Sequence, residues 1–288
     1  MLIQDGNRSK WTVTLQCRKI IGGNIMSIKG PEVIGRVFNV FKSPPDERDY
    51  KPVAGLGAKI EYPKDHSTVS PKHKVRNQGA YGACVGYGIT DAITASLGAY
   101  DDRWFGEPLS PMFVWLAAKE TDSIQLPSGL AGQDGTYIRA GLKAVRKWGN
   151  LYERFAPLGM ITYYSSSRMY EDAAWLKAAA YYSIGISDYI KHLASGKQIV
   201  IGINVLSSFL QAQKTLTKED LAGGSLGGHC CRVVGYRTTG TEETVYTIGN
   251  SWGEQWGVEG YIDVTESYLK GILFESYFLD VPAINYFA

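Results

Sequence analysis

Apolar residues fall at helical spacing through the first half of the chain and in strand-like runs through the second. Val85, Ile89, Ala92, Ile93 and Leu97 share one face of a helix predicted from Cys84 to about Tyr100. Gly86 and Gly88 inside it each cost roughly 1 kcal/mol of intrinsic propensity, so packing must hold it. Ser110-Pro111 reads as the N-cap and first residue of a second helix running through Met112, Val114, Leu116 and Ala117. Further helices are predicted over about 136–147, ending before Gly149, and over about 167–180 and 186–195. Residues 198–203 then read as a buried strand. Residues 231–236 and 244–248 read as a hairpin around a turn at 238–243, and 260–264 as another strand.

Helices followed by strands predict an α+β protein of two lobes. Before them, 33–41 reads as a short strand or extended arm, 43–50 as a turn-rich connector and 51–77 as loop. Residues 1–25 are polar, basic and without clear periodicity. The run Gly22-Gly23-Asn24-Ile25-Met26 can be encoded as a bacterial ribosome-binding site followed by a start codon. We therefore expect the native chain to begin at Met26, with 1–25 a translated leader; a genuine disordered arm is the alternative.

A length of 288 residues is enough for one large domain or two lobes. The formal net charge of +2 supplies no field to argue for nucleic acid or an anionic membrane. No apolar run is long enough to span a bilayer, and the N-terminus lacks a signal-peptide core. Cys17, Cys84, Cys230 and Cys231 form no evident disulfide framework, which favours a reducing compartment. The expected setting is cytoplasmic or virion-associated.

The candidate chemistry lies in three places. Gln78-Gly79-Ala80-Tyr81-Gly82-Ala83-Cys84 leads straight into the first helix. A helix N-terminus, with a nearby imidazolium, stabilises a thiolate and lowers its pKa. Of the four histidines, His66 and His73 lie in a loop and His192 reads as a surface residue, whereas His229 opens the predicted hairpin. Asn250-Ser251-Trp252-Gly253-Glu254-Gln255-Trp256-Gly257 follows it. An asparagine oxygen there can hold the imidazole's tautomer and plane, and a tryptophan can shield that bond from water.

The segment Val75–Cys84 resembles the active-site signature of papain-like cysteine peptidases, whose local form is C-G-[SA]-C-[WY]. Tyr81 and Val85 depart from its outer positions. His229 follows Cys84 by 229 − 84 = 145 residues, within the family's spacing of about 130–150. Asn250–Gly257 resembles the family's N-S-W-G-x-x-W-G segment. The resemblance spans about 70–265 and is nearer to compact bacterial or viral members. It implies a papain-like two-lobe fold, with a helical lobe about 84–185, a strand-rich, barrel-like lobe about 186–280 and a cleft between them. The peptidase domain would be 69–288.

The resemblance also implies a Cys84–His229–Asn250 triad, with Gln78 and the Cys84 amide as oxyanion hole. Asp134, Gly135, Gly228 and Trp252 would bind substrate. The substrate would be a polypeptide, and no metal or organic cofactor is implied. Residues 26–68 form an arm and connector, and 26–65 are expected to cover the cleft as an intramolecular inhibitor. Two alternatives stay open: a catalytically weak member serving as a peptide-binding or structural subunit, and a thiol hydrolase of cell-wall peptides.

Overall fold

A computed structural model describes residues 19–21, 24–26, 36, 38–47, 61–122, 135–159, 167–238 and 243–282. Residues 1–35 form one unit and 36–288 another. In the first, β1 (Lys19–Ile21) pairs antiparallel with β2 (Asn24–Met26), where the sequence predicted no element.

The second unit begins with an extended segment, residues 36 and 38–47, and a short strand β3 (Asp65–Ser67). Next come α1 (Cys84–Gly98), α2 (Pro111–Lys119), α3 (Ile138–Lys147) and α4 (Ser167–Ala173). β4 (Ala180–Ser183), α5 (Tyr189–Ala194), β5 (Ile199–Val205) and α6 (Ser207–Leu210) follow. The chain continues through β6 (Gly227–Arg237), β7 (Val245–Gly249), β8 (Tyr261–Thr265), α7 (Glu266–Ile272) and β9 (Leu273–Asp280). The strands form one sheet in the order β4-β9-β5-β6-β7-β8, with β3 on the far part of β6. All pairings are antiparallel.

Two main apolar cores result. One joins α1, α2 and α3 to the face of the sheet at Val200, Cys230 and Tyr277. The other lies among β5–β8, Trp252, Trp256 and Tyr268. The architecture is the expected α+β, two-lobe arrangement. α1 is central to it: thirteen of its fifteen residues are buried, so the packing that its glycines demanded is present. Those glycines mark close approaches. A Cβ on Gly86 would stand 2.0 Å from the Pro111 carbonyl oxygen, and one on Gly88 2.7 Å from Cys230 Sγ.

The structure differs from the sequence reading at several points. The helix expected over 167–180 stops at Ala173, because Ala178 donates to the Val145 carbonyl and β4 pairs with β9. β3, β4, α7 and β9 lie where no element was expected. His192 is buried, not surface, with its ring stacked on Phe278 at 3.8 Å. The β6–β7 hairpin is as expected, but 239–242 of its turn lie outside the described residues, as do Cys17 and 48–60 of the arm.

Ser110 caps α2 as its sequence suggests: Oγ accepts from the Phe113 N–H at 3.0 Å, while the hydroxyl donates to the Ala156 carbonyl. Ser110→Ala should lower the unfolding free energy by about 1–2 kcal/mol in urea denaturation. An unchanged midpoint would contradict this role.

Candidate active site

Three segments far apart in sequence meet at one place. The first is the turn before α1. Gln78 is buried, and its backbone N–H donates to the Ser251 carbonyl at 2.9 Å. Its Oε1 accepts from Ser251 Oγ at 2.6 Å and its Nε2 donates to the Tyr81 carbonyl at 2.9 Å. Because the hydroxyl holds Oε1, the amide cannot flip, and Nε2 retains a second N–H bond for another acceptor.

The second and third segments are β6 and the loop after β7. His229 Nε2 lies 2.8 Å from Asn250 Oδ1. The Ser251 backbone N–H also reaches that Oδ1, at 2.8 Å. A backbone N–H can only donate, so this atom is the oxygen and His229 Nε2 must carry the ring proton. Nδ1 is left as the basic nitrogen, buried and without a hydrogen-bond partner among the described residues. Trp252 stacks on the imidazole with centroids 4.5 Å apart, and Phe209 and Trp256 back it edge-on and tilted. The Asn250–His229 bond is thus closed off from water.

Cys84 is at the first position of α1, and the Cys230 backbone N–H acts on its thiol. The thiol belongs to the helical core, and His229 begins the buried part of β6. Burial pushes the Cys84 thiol up to about 11, against the backbone N–H groups of Cys230, Val85 and Cys84 that lower it. The sequence argued for a lowered value from the helix N-terminus; in this state desolvation outweighs that dipole. Burial likewise lowers His229 to about 4; Arg36 adds to the effect and Asn250 opposes it. Thiol and imidazole are therefore both uncharged at neutral pH.

The arm explains much of that burial. The Val40 N–H donates to the Gly228 carbonyl at 3.1 Å, and the Phe41 N–H to the Thr136 carbonyl at 3.4 Å. Asn39 bridges to Gly228 and Phe41 to Tyr137, both parallel. A Cβ on Gly228 would be 1.9 Å from the Val40 carbonyl oxygen, and one on Gly135 1.6 Å from that of Asn39. The two glycines let the arm's backbone pass between the walls. Val40 joins the apolar cluster that contains Cys84. Phe38 meets His229 and Trp252 edge-on, and the Arg36 guanidinium lies 4.5 Å over the Trp252 ring. Farther along, Glu275 Oε2 accepts from the Ser43 N–H at 3.1 Å, and Arg139 donates to the Pro44 carbonyl.

Cys84, His229, Asn250, Gln78, Gly135, Gly228 and Trp252 therefore share one neighbourhood; Asp134 lies outside the described residues. Sequence reasoning missed Ser251, whose backbone and hydroxyl fix both Asn250 and Gln78. Its place inside the Asn-Ser-Trp-Gly run was the available signal. Among the described residues no group of side chains could hold a metal ion, and no helix is long and apolar enough to cross a membrane.

The sequence pattern of the papain family cysteine proteases matches residues 162–275. The chain is 26% identical over 272 residues to an uncharacterized peptidase C1-like protein of Acanthamoeba polyphaga mimivirus, covering 82% of this chain and 83% of that one. Its fold is similar to that of xylellain, a cysteine protease from Xylella fastidiosa, with TM-score 0.71 and 20% identity over 86% of this chain and 97% of the other. It is also similar to a procathepsin B from Trypanosoma congolense, with TM-score 0.67 and 15% identity over 86% and 87%. The chain has the papain-like two-lobe fold and is recognisable as a relative of the papain-like cysteine peptidases. The family match supports cysteine-type peptidase activity, and hence a hydrolase.

Gly228→Ala should unseat the arm through contact with the Val40 carbonyl. Hydrogen exchange at the Val40 amide should rise about tenfold or more. Unchanged protection would contradict the close approach.

Proposed function

We propose that the chain hydrolyses peptide bonds through Cys84, His229 and Asn250, and that the arm holds this site latent. The observation that carries the reading is the tautomer: Ser251 fixes Asn250 Oδ1 as acceptor, which leaves His229 Nδ1 as a free base beside the helix that begins with Cys84. Cys84 gives its proton to Nδ1, and the thiolate attacks the substrate carbonyl carbon. The carbonyl oxygen gathers charge and takes hydrogen bonds from Gln78 Nε2–H and the Cys84 backbone N–H. The imidazolium protonates the leaving amine. Water, deprotonated by Nδ1, then resolves the thioester and frees the thiol. Asn250 keeps the ring in one plane and one tautomer throughout, with Trp252 excluding water from that bond.

The substrate is a polypeptide in extended form, because Gly228 and the backbone at Thr136 already serve an extended strand, that of the arm. Gly135 and Gly228 line its path and Trp252 receives one end of it. The bound arm leaves no room for a substrate backbone, so it inhibits in place. The setting we infer is cytoplasmic or virion-associated, on the free buried thiols of Cys84, Cys230 and Cys231 and the viral relative. A peptide-binding subunit without turnover is the competing outcome of the tests below.

Gln78→Ala should lower kcat by about 100–1000-fold while the protein stays folded. Full activity in that variant would remove Gln78 from the mechanism.

The full-length Arg36→Ala/Phe38→Ala variant loses the arm's contacts with Trp252 and His229 and should turn over small peptides faster than the unaltered chain. The advantage depends on pH. His229 has a covered-state pKa of about 4 against an ordinary 6.5, so protons favour the uncovered state. The arm's hold is complete above the ordinary value. It weakens as pH falls toward 4, by about 1.4 kcal/mol for each unit. The rate ratio between variant and parent should be largest above pH 6.5 and narrow on acidification. A ratio that widens on acidification would contradict latency through His229.

A further inference from the structure

A second charged cluster lies behind the site and is not used in the chemistry above. Asp91, two turns along α1 from Cys84, is 2% exposed. Its Oδ2 lies 3.2 Å from Arg232 Nη2 on β6, three residues after His229. Its Oδ1 pairs with Arg76 Nη2, two residues before Gln78, and lies 3.5 Å from His73 Nε2. Arg232 also donates to Gln198 Oε1 at 2.7 Å. Arg76 donates to Thr90 Oγ1 at 2.7 Å and to the Leu109 carbonyl at 2.8 Å, and reaches Glu153 at 3.5 Å. Burial pushes the Asp91 carboxyl up, but Arg76 and then Arg232 outweigh it and hold the group far below the usual carboxylate range.

The geometry of helix and strand gives the cluster its meaning. Seven residues of helix from Cys84 to Asp91 advance about 10 Å. Three residues of strand from His229 to Arg232 also advance about 10 Å. Three contacts run along this shared length. The Cys230 N–H acts on the Cys84 thiol, Cys230 Sγ packs on Gly88, and Arg232 pairs with Asp91. Sliding α1 against β6 would break the last contact and displace the first.

Resting on the peptidase reading above, we infer that Asp91 is a positioning residue whose two carboxylate oxygens tie together the three segments that carry Cys84, His229 and Gln78. One oxygen holds the Gln78 segment through Arg76. The other holds the His229 strand through Arg232. The carboxylate itself sits on the nucleophile's helix. Apolar residues of similar volume often stabilise a core as well as a buried ion pair does, so this cluster fixes register beyond what stability alone requires.

The test uses the full-length Arg36→Ala/Phe38→Ala protein as parent. Asp91→Asn keeps the shape and removes the charge. Its kcat should fall about 100-fold, as a displacement near 1 Å costs. KM should stay within about twofold, because substrate contacts are intact. The pH profile of Cys84 alkylation by iodoacetamide should lose its dependence on His229 and become that of an isolated thiol. Arg232→Gln leaves Arg76 to neutralise Asp91 and keeps the question answerable if Asp91→Asn does not fold. It should show the same alkylation change, with Arg232→Lys restoring part of it. A lowered melting temperature with kcat and the alkylation profile unchanged would overturn the proposal. A parent that neither hydrolyses peptides nor alkylates preferentially at Cys84 would end the peptidase reading instead. Hydrogen exchange then decides the positioning role. Asp91→Asn should speed exchange in both 76–79 and 228–232, and Arg232→Gln in 228–232 alone; protection unchanged in both would refute it.

Discussion

Exclusion of water around Cys84 and His229 is the constraint on which the rest turns. A thiolate and an imidazolium are stable together only where dipoles, hydrogen bonds or solvent balance the cost of their charge. Under the arm that balance fails. The N-terminus of α1 and the Cys230 N–H favour the thiolate, yet burial pushes the thiol up to about 11 and the imidazole down to about 4. The same sequence can therefore hold a neutral pair or a reactive one, and the position of a short stretch of backbone selects between them. Gly135 and Gly228 make that selection possible, because any side chain there would occupy the arm's path.

Beneath this layer the site is assembled by a few polar atoms used more than once. Ser251 fixes Gln78 with its hydroxyl and Asn250 with its backbone, so the oxyanion donor and the imidazole's partner are set by one residue. Asp91 plays the corresponding part on the other side of α1. Each bond alone contributes about 1 kcal/mol, and more where a charge is involved. Their joint effect is geometric: a helix, a strand and a loop from distant parts of the chain can meet in only one register.

Much of this was legible in the sequence because local chemistry dictates it. Ser110-Pro111 starts α2, Gly149 follows the end of α3, and the two glycines of α1 announce the close packing that they receive. The Asn-Ser-Trp-Gly run and the turn before Cys84 were readable for the same reason. The illegible parts depend on distant partners. β9 is buried over much of its length and lacks a clean alternation, and β4 is drawn out of an alanine-rich helical pattern by pairing with it. His192 reads as a polar helix residue, yet the Phe278 ring covers it. Nothing local marks Asp91, Arg76 and Arg232 as partners. The arm's path was a guess from length and position; its contacts at Gly135 and Gly228 required coordinates.

The most direct measurement is the NMR titration of the His229 ring in the full-length chain, assigned against His229→Ala. Occlusion by the arm predicts an imidazole that stays neutral, with its proton on Nε2, well below the ordinary value of 6.5 and toward 4. A ring that is already protonated at neutral pH, or carries its neutral-state proton on Nδ1, would contradict it.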